Sequence, residues 1–190
     1  MNIDDHIMIE CYTDTLLIEG LVKPRKNGYN HKRNCFEVEK EFRETNNKKG
    51  KFKDDFALGI IDKDKKTVAY INEMELLDKI ENEIYLFGHK LKKHFIIQLA
   101  PALETWLINR CKESNINMSD YNIPNNLKEL VGKTKRMAIK KDPNLKSSFH
   151  TLNKSKNPTI EQLKKWITVL KNKNRNIIDS DIVNIKVSEN

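Results

Sequence analysis

The chain has 190 residues, of which 38% are hydrophobic and 33% charged, and it carries a net charge of +8. That length and balance suit a globular protein with its own core and a wet surface; no apolar stretch approaches a bilayer span, and three widely spaced cysteines (Cys11, Cys35 and Cys111) fit neither a disulfide framework nor a zinc knuckle. The charge fits a polyanionic partner, but it fits a Lys-, Asn- and Ile-rich composition equally well and selects neither.

The opening "MNIDDH" is acidic and leads into a strand rather than resembling a signal peptide, so the expected location is cytoplasmic. "HIMIECY" (6–12) reads as that strand. "TDTLLIEGL" follows as a helix, with Thr13 as its expected cap and Asp14 in its first turn. "VKPRKNGYNHKRN" is irregular, with room for a short second strand. Residues 34–46 read as a helix carrying Phe36, Val38 and Phe42. "FALGIIDKDKK" (56–66) is an apolar strand ending in Asp62 and Asp64. "KTVAYINEMELLDKIEN" has helical spacing. "EIYLFGHK" and "HFIIQLA" are strands bridged by the basic turn "HKLKKH", and Pro101 is expected to open the helix of "PALETWLINRCKE". This alternation predicts an α/β fold: a mostly parallel sheet flanked by helices over 1–117. From 118 onwards the texture turns helical, through "NLKELVGKTKRMAIKK", a piece near Phe149 and "NPTIEQLKKWITVLKNK". The expectation there is a C-terminal extension (118–190) packed on the core.

In a parallel sheet, ligands sit beyond the carboxyl ends of the strands. This chain places Glu10 at one such end and Asp62 and Asp64 at another, with Asp14 opening the helix after the first. Crowded carboxylates raise one another's pKa values and must take up protons or a cation. Oxygen donors favour Mg²⁺ or Mn²⁺ over zinc. Such an ion polarises a phosphodiester and lowers the pKa of an attacking water. Glu10, Asp62 and Asp64 are therefore the candidate metal ligands.

The pattern of strand, Glu, Thr-Asp and helix in "IMIECYTDTLLIEGL", followed by strand and DxD in "ALGIIDKDK", resembles the TOPRIM fold of topoisomerases, primases and OLD-family nucleases. The resemblance spans roughly residues 5–110. It implies a metal-dependent nuclease acting on DNA or RNA, possible service in phage defence, and an ABC-type ATPase partner encoded separately. Glu10 matches the family's glutamate, Asp62 and Asp64 its DxD, and Asp14 the aspartate that many nuclease members carry. "APALETWLI" resembles a segment of OLD-type proteins in which a glutamate, here Glu104, precedes an apolar helix. The family's glycine after the glutamate is Cys11 here.

Other readings compete. DxD alone also describes a solvated turn. "HKLKKH" offers Lys90 and Lys93 as electrostatic partners of a phosphate beside the metal, or as guards of a sheet edge. "GYNH" could bring Asn30 and His31 to the site, although a plain loop is the favoured reading. "VGKT" (131–134) lacks the upstream glycine of a phosphate loop, because Leu127 stands there. Trp106 and Trp166 have apolar companions and read as core. The alternatives to a nuclease are a non-catalytic TOPRIM-like module that binds nucleic acid or a partner, and a metal-dependent enzyme of free nucleotides.

Overall fold

A computed structural model describes residues 2–43, 48–63, 68–135 and 137–186. Its strands are β1 (Ile7–Ile9), β2 (Asn30–His31), β3 (Ala57–Asp62), β4 (Met74–Ile80), β5 (Ile84–His89) and β6 (His94–Leu99). They form one sheet in the order β2-β1-β3-β6-β5-β4. β2, β1, β3 and β6 run parallel, and β5 and β4 close one side as an antiparallel hairpin. The fold is thus α/β with a mostly parallel, helix-flanked sheet.

The apolar run of β3 reflects burial on both faces, as a central parallel strand requires. Leu58 and Ile60 join a large core with Ile7, Ile9, Ile97 and Leu99. Ala57 and Ile61 join a smaller core with Met8 and Ile96 on the other face. The large core is covered by α1 (Tyr12–Leu21), α3 (Leu103–Glu113) and the C-terminal helices α4 (Leu127–Thr134), α5 (Pro143–Lys154), α6 (Pro158–Lys173) and α7 (Asp179–Ile185). Trp106 and Trp166 lie wholly within it. The small core is covered by α2 (Cys35–Phe42), which sits very close to the sheet. A Cβ on Gly59 would stand 2.8 Å from Val38 Cγ1, so only glycine admits α2 at this depth.

Several local expectations change. Thr13 does not cap α1: Cys11 is the N-cap, and its Sγ accepts the Asp14 N–H at 3.4 Å. α2 is shorter than 34–46 and is capped by Asn34. The helix expected after β3 is instead a 3-10 turn (Ala69–Glu73) followed by the edge strand β4. α3 opens at Leu103 rather than at Pro101. Asn157 caps α6 with Pro158 in its first turn, the role its sequence position suggests.

Candidate active site

After β1 the chain moves to one side of it to form β2, then returns to its other side as β3. The β1/β3 boundary is therefore the point where strand order reverses, the place beyond the carboxyl ends where open α/β sheets form a ligand-binding crevice. Glu10 follows β1 directly, and Asp62 ends β3. The Asp62 N–H donates to Glu10 Oε2 at 2.9 Å. The Glu10 N–H donates to the Ile60 carbonyl at 3.1 Å.

Two helices aim their N-termini at the same place. Ala102, at the N-cap of α3, has no side chain able to cap it, and Asp62 Oδ1 accepts the Leu103 N–H at 3.2 Å instead. α1 begins two residues after Glu10 and holds Asp14 in its first turn. The positive ends of both helix dipoles favour carboxylates here. Glu104, in the first turn of α3, is the fourth acid. Thr134, the last residue of α4, donates its hydroxyl to Glu104 Oε1 at 2.5 Å. The Thr13 hydroxyl donates to the Thr134 carbonyl at 3.4 Å. The C-terminal helices thereby reach the site.

Asp14 forms the floor. It is 1% exposed, and among the described residues neither of its carboxylate oxygens meets a hydrogen-bond partner. Burial first, then the charges of Glu10 and Glu104, push its pKa up to about 7, while the adjacent Cys11 thiol works against the rise without reaching hydrogen-bond geometry to either oxygen. Asp62 is pushed up to about 9 by burial, then by Asp14, Glu10 and Glu104, against the opposing Leu103 N–H. Burial, followed by the charge of Asp14, also drives the Cys11 thiol well above its ordinary value, so it is not a thiolate nucleophile here. The backbone of Cys11 is extended (φ −132°, ψ 172°), a conformation that any residue adopts, so cysteine fits where the resembled family has glycine.

Four acids from two strand ends and two helices thus share one crevice, with protons or a cation needed to balance them. The donor set is all oxygen, as a hard divalent cation requires, and the orphaned buried carboxylate of Asp14 fits such a charge. Among the described residues, no three His, Cys, Asp or Glu side chains are already gathered at metal-binding distance. Asp64 lies outside the described residues.

Lys90 and Lys93 are not part of this site. His94 pairs with Ala57 at the start of β3, whereas Asp62 pairs with Leu99 at its end. The basic turn is therefore at the opposite end of the strands, roughly 17 Å away at about 3.3 Å per residue. There Lys90 pairs with Glu75 at 2.7 Å, and Lys93 donates to the Arg175 carbonyl. "VGKT" lies within α4 and serves the site through Thr134 rather than as a phosphate loop. Conversely, "GYNH" is more than a loop. β2 pairs His31 with Ile9, next to Glu10.

A scan of family models, a search of curated proteins and a search of solved structures each return no match for this chain. Among the described residues, no helix is long and apolar enough to cross a membrane.

Proposed function

We propose that this protein is a TOPRIM-like, Mg²⁺- or Mn²⁺-dependent nuclease that hydrolyses DNA or RNA phosphodiesters. The observation that carries the reading is Asp14, buried without a hydrogen-bond partner between Glu10 and Glu104 at the strand-order switch point. Glu10 and Asp62 are the assigned ligands of the ion, with Asp64 as the third. When bound, the ion supplies Lewis-acid polarisation of the phosphodiester and a more acidic water. Asp62 is oriented for this by the Leu103 N–H, and Glu10 by the Asp62 N–H. Asp14 holds or releases a proton at its carboxyl near neutral pH as charge beside it changes. Thr134 fixes Glu104 at the wall of the crevice. The resemblance in the motifs extends the proposal to phage defence, with the ATPase supplied by a separate chain.

The test is cleavage of labelled DNA and RNA in the presence of Mg²⁺ or Mn²⁺. The Glu10→Gln variant keeps an acceptor for the Asp62 N–H and should retain the fold while losing activity. Equal cleavage by parent and variant would contradict the proposal.

One observation favours a second reading, a non-catalytic module of the same fold. Glu10 and Asp62 already accept main-chain N–H groups, which gives them a structural task in joining β1, β3 and α3. On that reading the cluster stays protonated, and no divalent ion changes its behaviour.

A further inference from the structure

The acids have a positive border on one side. His31 ends β2 opposite Ile9, and Tyr12 opens α1 two residues beyond Glu10. Their rings stack at 3.7 Å between centroids with 18° between planes. The His31 ring is further held near Thr15 Oγ1, at 3.5 Å from Nδ1. Lys140, from the 3-10 segment Met137–Lys141, brings its ammonium to 5.7 Å from the Tyr12 ring centroid. Arg33 follows β2 by two residues. The end of β2, the start of α1 and the C-terminal segment thus meet at one rim.

The cations of this rim differ in their commitments. Lys32 is paired with Glu41 at 2.5 Å. Among the described residues, Arg33 and Lys140 have no acidic partner, although both are close enough to His31 to disfavour its protonated form. Two exposed cations beside an acidic edge, neither held by a carboxylate among the described residues, suit an anion that spans both.

We infer that Tyr12, His31, Arg33 and Lys140 form a lip that receives the phosphodiester backbone of a nucleic-acid strand and leads it to the acidic crevice. Arg33 and Lys140 contact phosphates beside the Tyr12–His31 stack. The stack acts as a rigid spacer between them. This deepens the nuclease reading and rests on it, because it assigns the substrate of the same crevice. It also favours a polymer over a nucleoside monophosphate, which offers one phosphate where a strand offers several.

The test is fluorescence anisotropy with short labelled single-stranded DNA and RNA in EDTA, where no cleavage occurs, across a salt series. Arg33→Ala/Lys140→Ala should weaken binding at low salt by at least tenfold. It should also flatten the log–log salt slope by about 1.4, at about 0.7 per phosphate contact on a single strand. An unchanged melting temperature establishes that the loss is local. A double variant with the parent's affinity and slope overturns the lip, while cleavage by the parent that Glu10→Gln abolishes would still stand. Displacement of the strand by a nucleoside monophosphate as efficiently as by an unlabelled strand overturns the polymer assignment. A parent that binds no strand at all overturns the lip and the nuclease reading together.

Discussion

The main-chain N–H of Asp62 donates to Oε2 of Glu10 across 2.9 Å, joining residues that are 52 positions apart in the chain. This bond locks the carboxyl ends of two parallel strands in register and presents both acids to one crevice. It also keeps Glu10 close enough to disfavour the ionisation of Asp62.

The first prediction follows from that crowding. Asp14 and Asp62 have folded-state pKa values of about 7 and about 9, above the value of about 3.9 for aspartate in an unfolded chain. Between about pH 4 and 9 the folded cluster therefore binds more protons than the unfolded chain, and the stability of the metal-free protein falls as pH rises. Asp62→Asn removes the larger part of this dependence and keeps an acceptor for the Leu103 N–H. In EDTA its melting temperature should exceed the parent's at pH 8 by several degrees more than it does at pH 5, because the penalty on the parent grows as pH rises through that interval. Parallel melting curves at both pH values would show that Asp62 ionises without penalty.

Thr134 is the contact through which the C-terminal helices address the site. Thr134→Val should cost about 1–2 kcal/mol of stability. It should also lower cleavage severalfold, because Glu104 loses the donor that holds it. Thr134→Ser keeps the hydroxyl and should restore cleavage. Full activity in the valine variant would remove Glu104 from the working site.

The account also predicts an absence of effect. Lys90→Ala/Lys92→Ala/Lys93→Ala should leave cleavage and the salt dependence of strand binding unchanged, because this turn lies at the far end of β3 and β6. A flattened salt slope in this variant would mean that nucleic acid wraps around to the opposite edge of the sheet.

The N-terminus is held to the C-terminal helices by a buried ion pair. Lys171 Nζ lies 3.2 Å from Asp4 Oδ1, and it also donates to the Lys23 carbonyl at 2.5 Å and to the Tyr29 hydroxyl at 3.0 Å. Lys171→Met leaves the Asp4 carboxylate buried with only main-chain and Asn2 donors on its other oxygen. Urea unfolding should show a loss of about 3 kcal/mol. A loss below about 1 kcal/mol would mean that α6 is held by its apolar face alone.

Much of the acidic site was legible in sequence because it rests on strand ends. An apolar run terminating in an acid marks both β1–Glu10 and β3–Asp62, and the parallel topology brings such ends together. β4 was not legible. Val68, Ile71, Met74, Leu77 and Ile80 recur every third residue, which reads as a helix. In the structure the pairing of β4 with β5 shifts between Leu76 and Asp78. The bulge adds a residue, so Leu77 and Ile80 pack on the same large core although three positions separate them. The Cys11 cap was hidden because sulfur is a weak acceptor and Thr13 is the conventional choice. His31 was visible as a candidate but read as part of a plain loop, because β2 has only two residues, too few for any periodicity. Thr134 and Lys140 come from segments more than 100 residues away from Asp14, and no local pattern encodes that approach.

The central claim is that these carboxylates exchange protons for a divalent cation. Calorimetric titration of the metal-free protein with Mn²⁺ at pH 8, in two buffers of different ionisation enthalpy, measures both the binding and the protons released. The account predicts saturable binding accompanied by net proton release, because Asp62 is protonated at that pH and must ionise to take a cation, with both signals lost in Glu10→Gln. Absence of Mn²⁺ binding, or binding that releases no proton and survives in Glu10→Gln, would contradict it.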